Sequence, residues 1–182
     1  MALDRRPEDA RPWIEAAAPT HPSLVDTGYV LADLYNIVNV PTVVWIDESG
    51  TVVRPNDVMY ATDTFTSVHG IEAAASLAAV RSWVRDGVAL EAAEVRALQA
   101  LPTESDQLAR AEFTLARWLL DRGRTEAAER HFARAGELAP HDFTIRRGSM
   151  PMRGIDSMGP AFWEMAVDWV GRGNTYYRPL PR

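Results

Sequence analysis

YNIVNVPTVVWIDESG, residues 35 to 50, is the stretch on which the fold turns. Val40 to Asp47 is a largely apolar run rich in β-branched side chains, the pattern of a strand buried on both faces. Glu48-Ser49-Gly50 supplies a turn, and Thr51 to Arg54 returns as an antiparallel partner that Pro55 is expected to stop. Upstream, Val30, Leu31, Leu34 and Tyr35 recur at three- and four-residue steps, as one face of a helix requires. Further back, PSLVD (22 to 26) reads as a brief strand, and ARPWIEAAA as a short helix ending before Pro19. Downstream, 56 to 70 reads as a loop, and Ile71 to Val84 as a helix with Leu77, Val80 and Val84 on one side that ends at Asp86-Gly87.

From Val88 the text changes in kind. Ala89 to Leu101, Glu104 to Arg122 and Thr125 to Leu138 are helical, broken by Leu101-Pro102 and by Gly123. Ala161 to Val170 is a further helix, with Phe162, Met165, Ala166, Trp169 and Val170 as its buried face, and Pro179 and Pro181 mark an extended end. Three stretches follow: 1–87 with mixed helix and strand, 88–145 all helical, and 146–182 a helix and a tail.

Composition bounds the function. The 182 residues are 47% hydrophobic, enough for a sizeable core in one domain or two small ones. A formal net charge of -6 and a pI near 5.2 argue against nucleic acid or an anionic membrane surface as main partner, since either needs a concentrated basic patch. The first residues mix both charges, unlike a secretory leader, and no apolar run approaches the roughly 20 residues that span a bilayer, so the expectation is a cytoplasmic protein. The chain has no cysteine, which removes disulfides, thiolate nucleophiles and thiolate metal sites together.

PSLVD, VLADLYNIVNVPTVVWIDESGTVVRP (30 to 55) and the helix after it resemble the C-terminal part of a thioredoxin-like domain of the peroxiredoxin and TlpA/ResA type. The resemblance covers about residues 2 to 86, with Ala2-Leu3-Asp4 standing where such a domain's second strand ends. It implies that Pro41 is a cis proline opening a central strand and that Gly50 sits in the hairpin. The family's first strand and cysteine-bearing helix have no counterpart here, and dithiol exchange by this chain alone is not expected. In the family's sheet the strand from Pro41 lies beside the strand that is missing. Its edge is therefore expected to be covered by a strand from a partner, by a second copy or by rearranged elements of the same chain, unless a segment upstream of the given start supplies it.

From Ala109, the residues Leu115, Ala116, Leu119, Gly123, Ala128, Phe132, Ala135 and Pro140 resemble the small, large and helix-ending positions of a tetratricopeptide repeat. The reading predicts an antiparallel helix pair turning at Gly123, with Leu115, Leu119 and Phe132 in its seam and the arginines and glutamates outside. The fold class expected is thus α/β, an incomplete thioredoxin-like sheet with flanking helices followed by a small TPR-like helical module.

Few polar residues suggest chemistry. His21, His69, His131 and His141 have no metal-ligand spacing, and Asp47-Glu48 reads as a charged hairpin tip. Gly171-Arg172-Gly173 follows a helix where a nucleotide loop would follow a strand, and the arginines from Arg146 to Arg172 form no regular basic face. No catalytic residue, cofactor site or metal site is assigned. Asp26, Pro41 and Thr42 are the candidate pocket, since strand ends line crevices in α/β sheets. Val43, Trp45, Trp163 and Trp169 are the candidate interface. The expectation is a redox-inactive protein acting in association or assembly with a protein partner or as a homodimer. The alternative is a subunit or shortened form of a thiol-disulfide oxidoreductase or peroxiredoxin-like enzyme whose cysteines lie on a missing segment or on a partner.

Overall fold

The computed structural model describes residues 1–64, 66–178 and 180, and the extended end expected at Pro179 and Pro181 lies outside them. In chain order the elements are α1 (Pro7–Ala17), α2 (Val30–Leu34), β1 (Val43–Ile46), β2 (Val52–Asp57), α3 (Thr66–His69), α4 (Ala73–Asp86), α5 (Ala92–Leu98), α6 (Glu104–Leu120), α7 (Thr125–Leu138), α8 (Phe143–Arg146), a 3₁₀ turn at Pro151–Arg153 and α9 (Pro160–Gly171). The fold mixes helix with one antiparallel two-stranded sheet, α/β at the coarse level. Among the described residues no helix is long and apolar enough to cross a membrane.

The chain forms two compact units, each built from two stretches: 1–38 with 102–165, and 39–101 with 166–182. These groupings reflect proximity in space, whereas the stretches 1–87, 88–145 and 146–182 are divisions of the text.

In the first unit, α6 and α7 make a helical hairpin. Thr103 and Asp106 close a capping box that satisfies donors at the start of α6, and Gly123 takes a positive φ of 70° in the turn. The pair is antiparallel: Ser105 Oγ donates to the Leu138 carbonyl at 2.8 Å, and Glu112 meets His131 about half way along both helices. Ala109, Ala116, Ala128 and Ala135 are fully enclosed, and their small side chains let Phe113 and Phe132 fill the seam with ring centroids 5.8 Å apart. Tyr29, Ala32 and Ile37 from around α2, and Ile145 from α8, complete this core.

Four expectations for this unit are corrected. Leu115 is 41% exposed, and Phe113 takes the seam position, because the face that meets α7 runs through 109, 113 and 116. Arg110 is buried, drawn inward by acceptors on α2. On α2 the enclosed residue is Ala32, while Val30, Leu34 and Tyr35 are exposed, since the helix is only five residues long and Tyr29 precedes it at φ 61°. PSLVD makes a single parallel bridge, Ala2 with Val25, held by two 2.8 Å backbone bonds.

In the second unit, β1 and β2 form a hairpin with Gly50 at φ 84°. The Val40–Pro41 bond is cis, the isomer the resemblance implies. Two expectations fail in the strands. β2 continues through Pro55 to Asp57, because the register slips from Trp45↔Arg54 to Val43↔Asp57 and so places Pro55 in an irregular step of the ladder. β1 is buried on one side only: Trp45 is enclosed, whereas Ile46 is exposed. In α4 the inward line is Ala73, Ser76, Leu77 and Val80, and Val84 lies in the open one turn before the Gly87 cap. The segment 56–70, expected as a loop, contains α3. α9 is divided between the units: Phe162, in its first-unit part, is buried, whereas Val170, in its second-unit part, is exposed.

Candidate functional site

α6 carries two different apolar stripes. One, described above, is consumed by α7. The other runs along Leu108, Ala111, Leu115 and Trp118 and faces outward, with Leu108, Leu115 and Trp118 each between 41% and 50% exposed.

Two arginines between the stripes tie α2 to α6. Arg110 donates to the Asp33 carbonyl at 3.1 Å and to Asn36 Oδ1 at 2.5 Å, and stands 3.4 Å from an Asp33 carboxylate oxygen. Arg117 donates to the Thr27 carbonyl and stacks on the Tyr29 ring at 4.7 Å. Desolvation pushes the Tyr29 phenol up to about 12, against the pull of Arg117, so it stays neutral. Burial also raises the Asp33 carboxyl, and Arg110 opposes that rise.

With α2 held in place, an open groove of about 790 Å³ lies between its end and α6. Leu34, Pro102, Ala111, Leu115 and Trp118 give it apolar walls, Gln107 and Thr114 add uncharged polar edges, and Arg110 and Asp33 neutralise each other at one side. Such a surface favours an apolar, elongated partner over an ion or a reactive small molecule. It holds no nucleophile paired with a base.

No protein-family model, curated protein or solved structure matches the chain.

The carboxylates are occupied in shaping turns and helix ends. Asp26 receives the backbone N–H groups of Val30, Leu31 and Ala32 at 2.8–3.2 Å and so caps α2. Asp142 likewise accepts from Thr144 N–H and O–H and from Ile145 N–H at the start of α8. Burial raises its carboxyl above the usual range, in spite of those bonds and of Arg110. Asp47 takes Ser49 and Thr51 at the hairpin tip, and the Ser49 hydroxyl leads in lowering its pKa. Among the described residues no three His, Asp or Glu side chains are gathered to hold a metal ion.

The seven residues singled out from sequence are spread over both units. Asp26 belongs to the first, while Pro41 and Thr42 belong to the second, where the Thr42 hydroxyl donates to the Asn39 carbonyl at 2.6 Å. Trp45 is 5% exposed, stacked on Trp83 at 4.9 Å with Arg54 over its ring, so in this structure it is a core residue. Val43 is half-buried beside it. Trp163 is 45% exposed, its Nε1 donating to the Met158 carbonyl, and Trp169 Nε1 donates to the Thr175 carbonyl. Sequence reading missed the groove. Its signal was the 3-4-3 spacing of Leu108, Ala111, Leu115 and Trp118, which assigning Leu115 to the other stripe concealed.

Proposed function

We propose that this chain is a redox-inactive association module: a thioredoxin-like remnant joined to a TPR-like hairpin that binds a helical protein segment in the groove beside α6. The observation that carries the reading is the groove itself, where Leu34, Leu115 and Trp118 stay in water although α6 already has a full core on its other side. Leaving such a patch uncovered favours association, by about 25 cal/mol for each Å² of apolar surface removed from water. Support for the TPR-like part comes from the alanine-lined antiparallel contact of α6 and α7. The thioredoxin-like part is supported by the β1–β2 hairpin turning at Gly50 and by the helix that follows. These 182 residues hold no cysteine, so they offer no thiolate for dithiol exchange.

A photo-crosslinking residue placed at Leu115 of the full chain, in cells that express it, tests the reading. A discrete crosslinked protein is expected, and adding Trp118→Glu should abolish it. If Leu115 crosslinks no more protein than the same probe at exposed Glu126 on α7, the association reading fails.

A further inference from the structure

The spacing of the exposed stripe of α6 reads the same in both directions. Leu108, Ala111, Leu115 and Trp118 are separated by steps of three, four and three residues, the 3.5-residue period of a helix-on-helix seam. Four residues before the first stands Glu104, exposed at the helix start, and four residues after the last stands Arg122, whose guanidinium lies 3.8 Å from the Trp118 ring. We propose that the occupant of the groove is a second copy of this chain, its α6 antiparallel to the first about a twofold axis at the level of Phe113. This rests on the association reading above and names its partner.

The antiparallel arrangement follows from what each residue then meets. Leu108 faces the partner's Trp118, and Ala111 faces the partner's Leu115, so the central layers pair small with large. At both ends Glu104 meets the partner's Arg122, two attractive pairs for one interface. A parallel arrangement would set Glu104 against Glu104 and Arg122 against Arg122, which repel. Because the stripe is its own complement, the contact closes after two copies and leaves no second surface for growth. From Leu108 to Trp118, all within α6, the apolar seam is about 15 Å long at 1.5 Å per residue, which gives two layers on each side of the axis.

The absence of native cysteine makes the register directly measurable. Leu108→Cys protein mixed with Trp118→Cys protein under mild oxidation should give mainly the mixed disulfide between the two variants. Each variant alone should give little dimer. Sedimentation velocity of the unmodified chain across a micromolar concentration series should show mass shifting from monomer to dimer. Glu104→Arg should weaken that dimer at least threefold, and Glu104→Arg with Arg122→Glu should restore it; both sites are exposed, so their thermal transitions report folding separately. Three results would each overturn the proposal: a monomer at every concentration, homodisulfides in excess of the mixed species, or a double variant no better than the single. If Leu115 crosslinks a different protein while the chain stays monomeric, the second-copy inference falls and the association reading survives. If nothing crosslinks, both fall.

Discussion

Arg54 Nε lies 2.8 Å from Asp57 Oδ2, with the arginine side chain 5% exposed and the aspartate side chain fully enclosed. The pair bridges the part of β2 that contains Pro55, and Asp57 Oδ1 also accepts the backbone N–H groups of Val58 and Leu180, each at 2.8 Å. One carboxylate thus ties the strand, its continuation and the C-terminal tail of the second unit. Removing one partner strands a buried charge. Asp57→Ala is therefore expected to cost about 3–5 kcal/mol, and Arg54→Met with Asp57→Leu less than Asp57→Ala alone. Urea denaturation of the three proteins measures this; a loss under about 1 kcal/mol for Asp57→Ala would show that the pair does not hold the strand.

The two stripes of α6 predict opposite responses to the same kind of truncation. Phe132, 3% exposed against Phe113, should cost about 3–5 kcal/mol when changed to alanine, from lost transfer energy and the cavity left behind. Leu115→Ala, on the exposed stripe, should stay within about 0.5 kcal/mol at concentrations low enough to keep the chain monomeric. Equal losses at both positions would mean that the stripes are wrongly assigned.

Acid should loosen the start of α6. Burial raises the Asp106 carboxyl, but the Thr103 N–H and hydroxyl, with His141 and Arg110, outweigh it and hold the pKa below the ordinary 3.8. The folded state therefore binds its proton less readily than the unfolded state. The stabilisation is complete above the unfolded value and is lost as pH falls through the folded one. Asp106→Asn should flatten the fall in thermal stability below about pH 4, and Thr103→Ala should cost about 1 kcal/mol at neutral pH. Thermal melts at stepped pH values check both; an Asp106→Asn curve parallel to the unmodified protein would contradict the assignment.

Asp142 runs the other way. Its carboxyl is raised by burial, so folding favours its protonated form, and its contribution to stability declines as pH rises from the unfolded value through the folded one. Asp142→Asn keeps the oxygen that caps α8 and has no charge to desolvate, whereas Asp142→Ala loses the cap. The asparagine variant is expected to gain on the unmodified protein as pH rises from about 4 to 7 and to exceed the alanine variant by about 1 kcal/mol at neutral pH. Chemical denaturation at those two pH values gives the answer, and a gap that narrows with rising pH would reverse the sign argued here.

Much of the local structure was determined by the sequence alone. Thr125–Leu138 is a helix with the bounds its period indicates, Gly123 and Gly87 turn the chain where a positive φ is needed, and Gly50 turns the hairpin between β1 and β2. Each of these depends on neighbours within a few residues, on caps, on backbone freedom and on side-chain period, and such causes are written along the chain. The choice between the stripes of α6 was not written there. Both are apolar at helical spacing, and only the presence of α7, with Ala128 and Ala135 allowing close approach, decided that Phe113 would be covered and Leu115 exposed. In the same way, Arg110 and Arg54 are arginines that a sequence places in water, and their burial was decided by acceptors that folding brought to them: Asp33 and Asn36, 74 or more residues away, for the first, and Asp57 across Pro55 for the second. The joining of 1–38 with 102–165 is of that kind too, because contacts between distant stretches depend on complementary surfaces that exist only once the helices have formed.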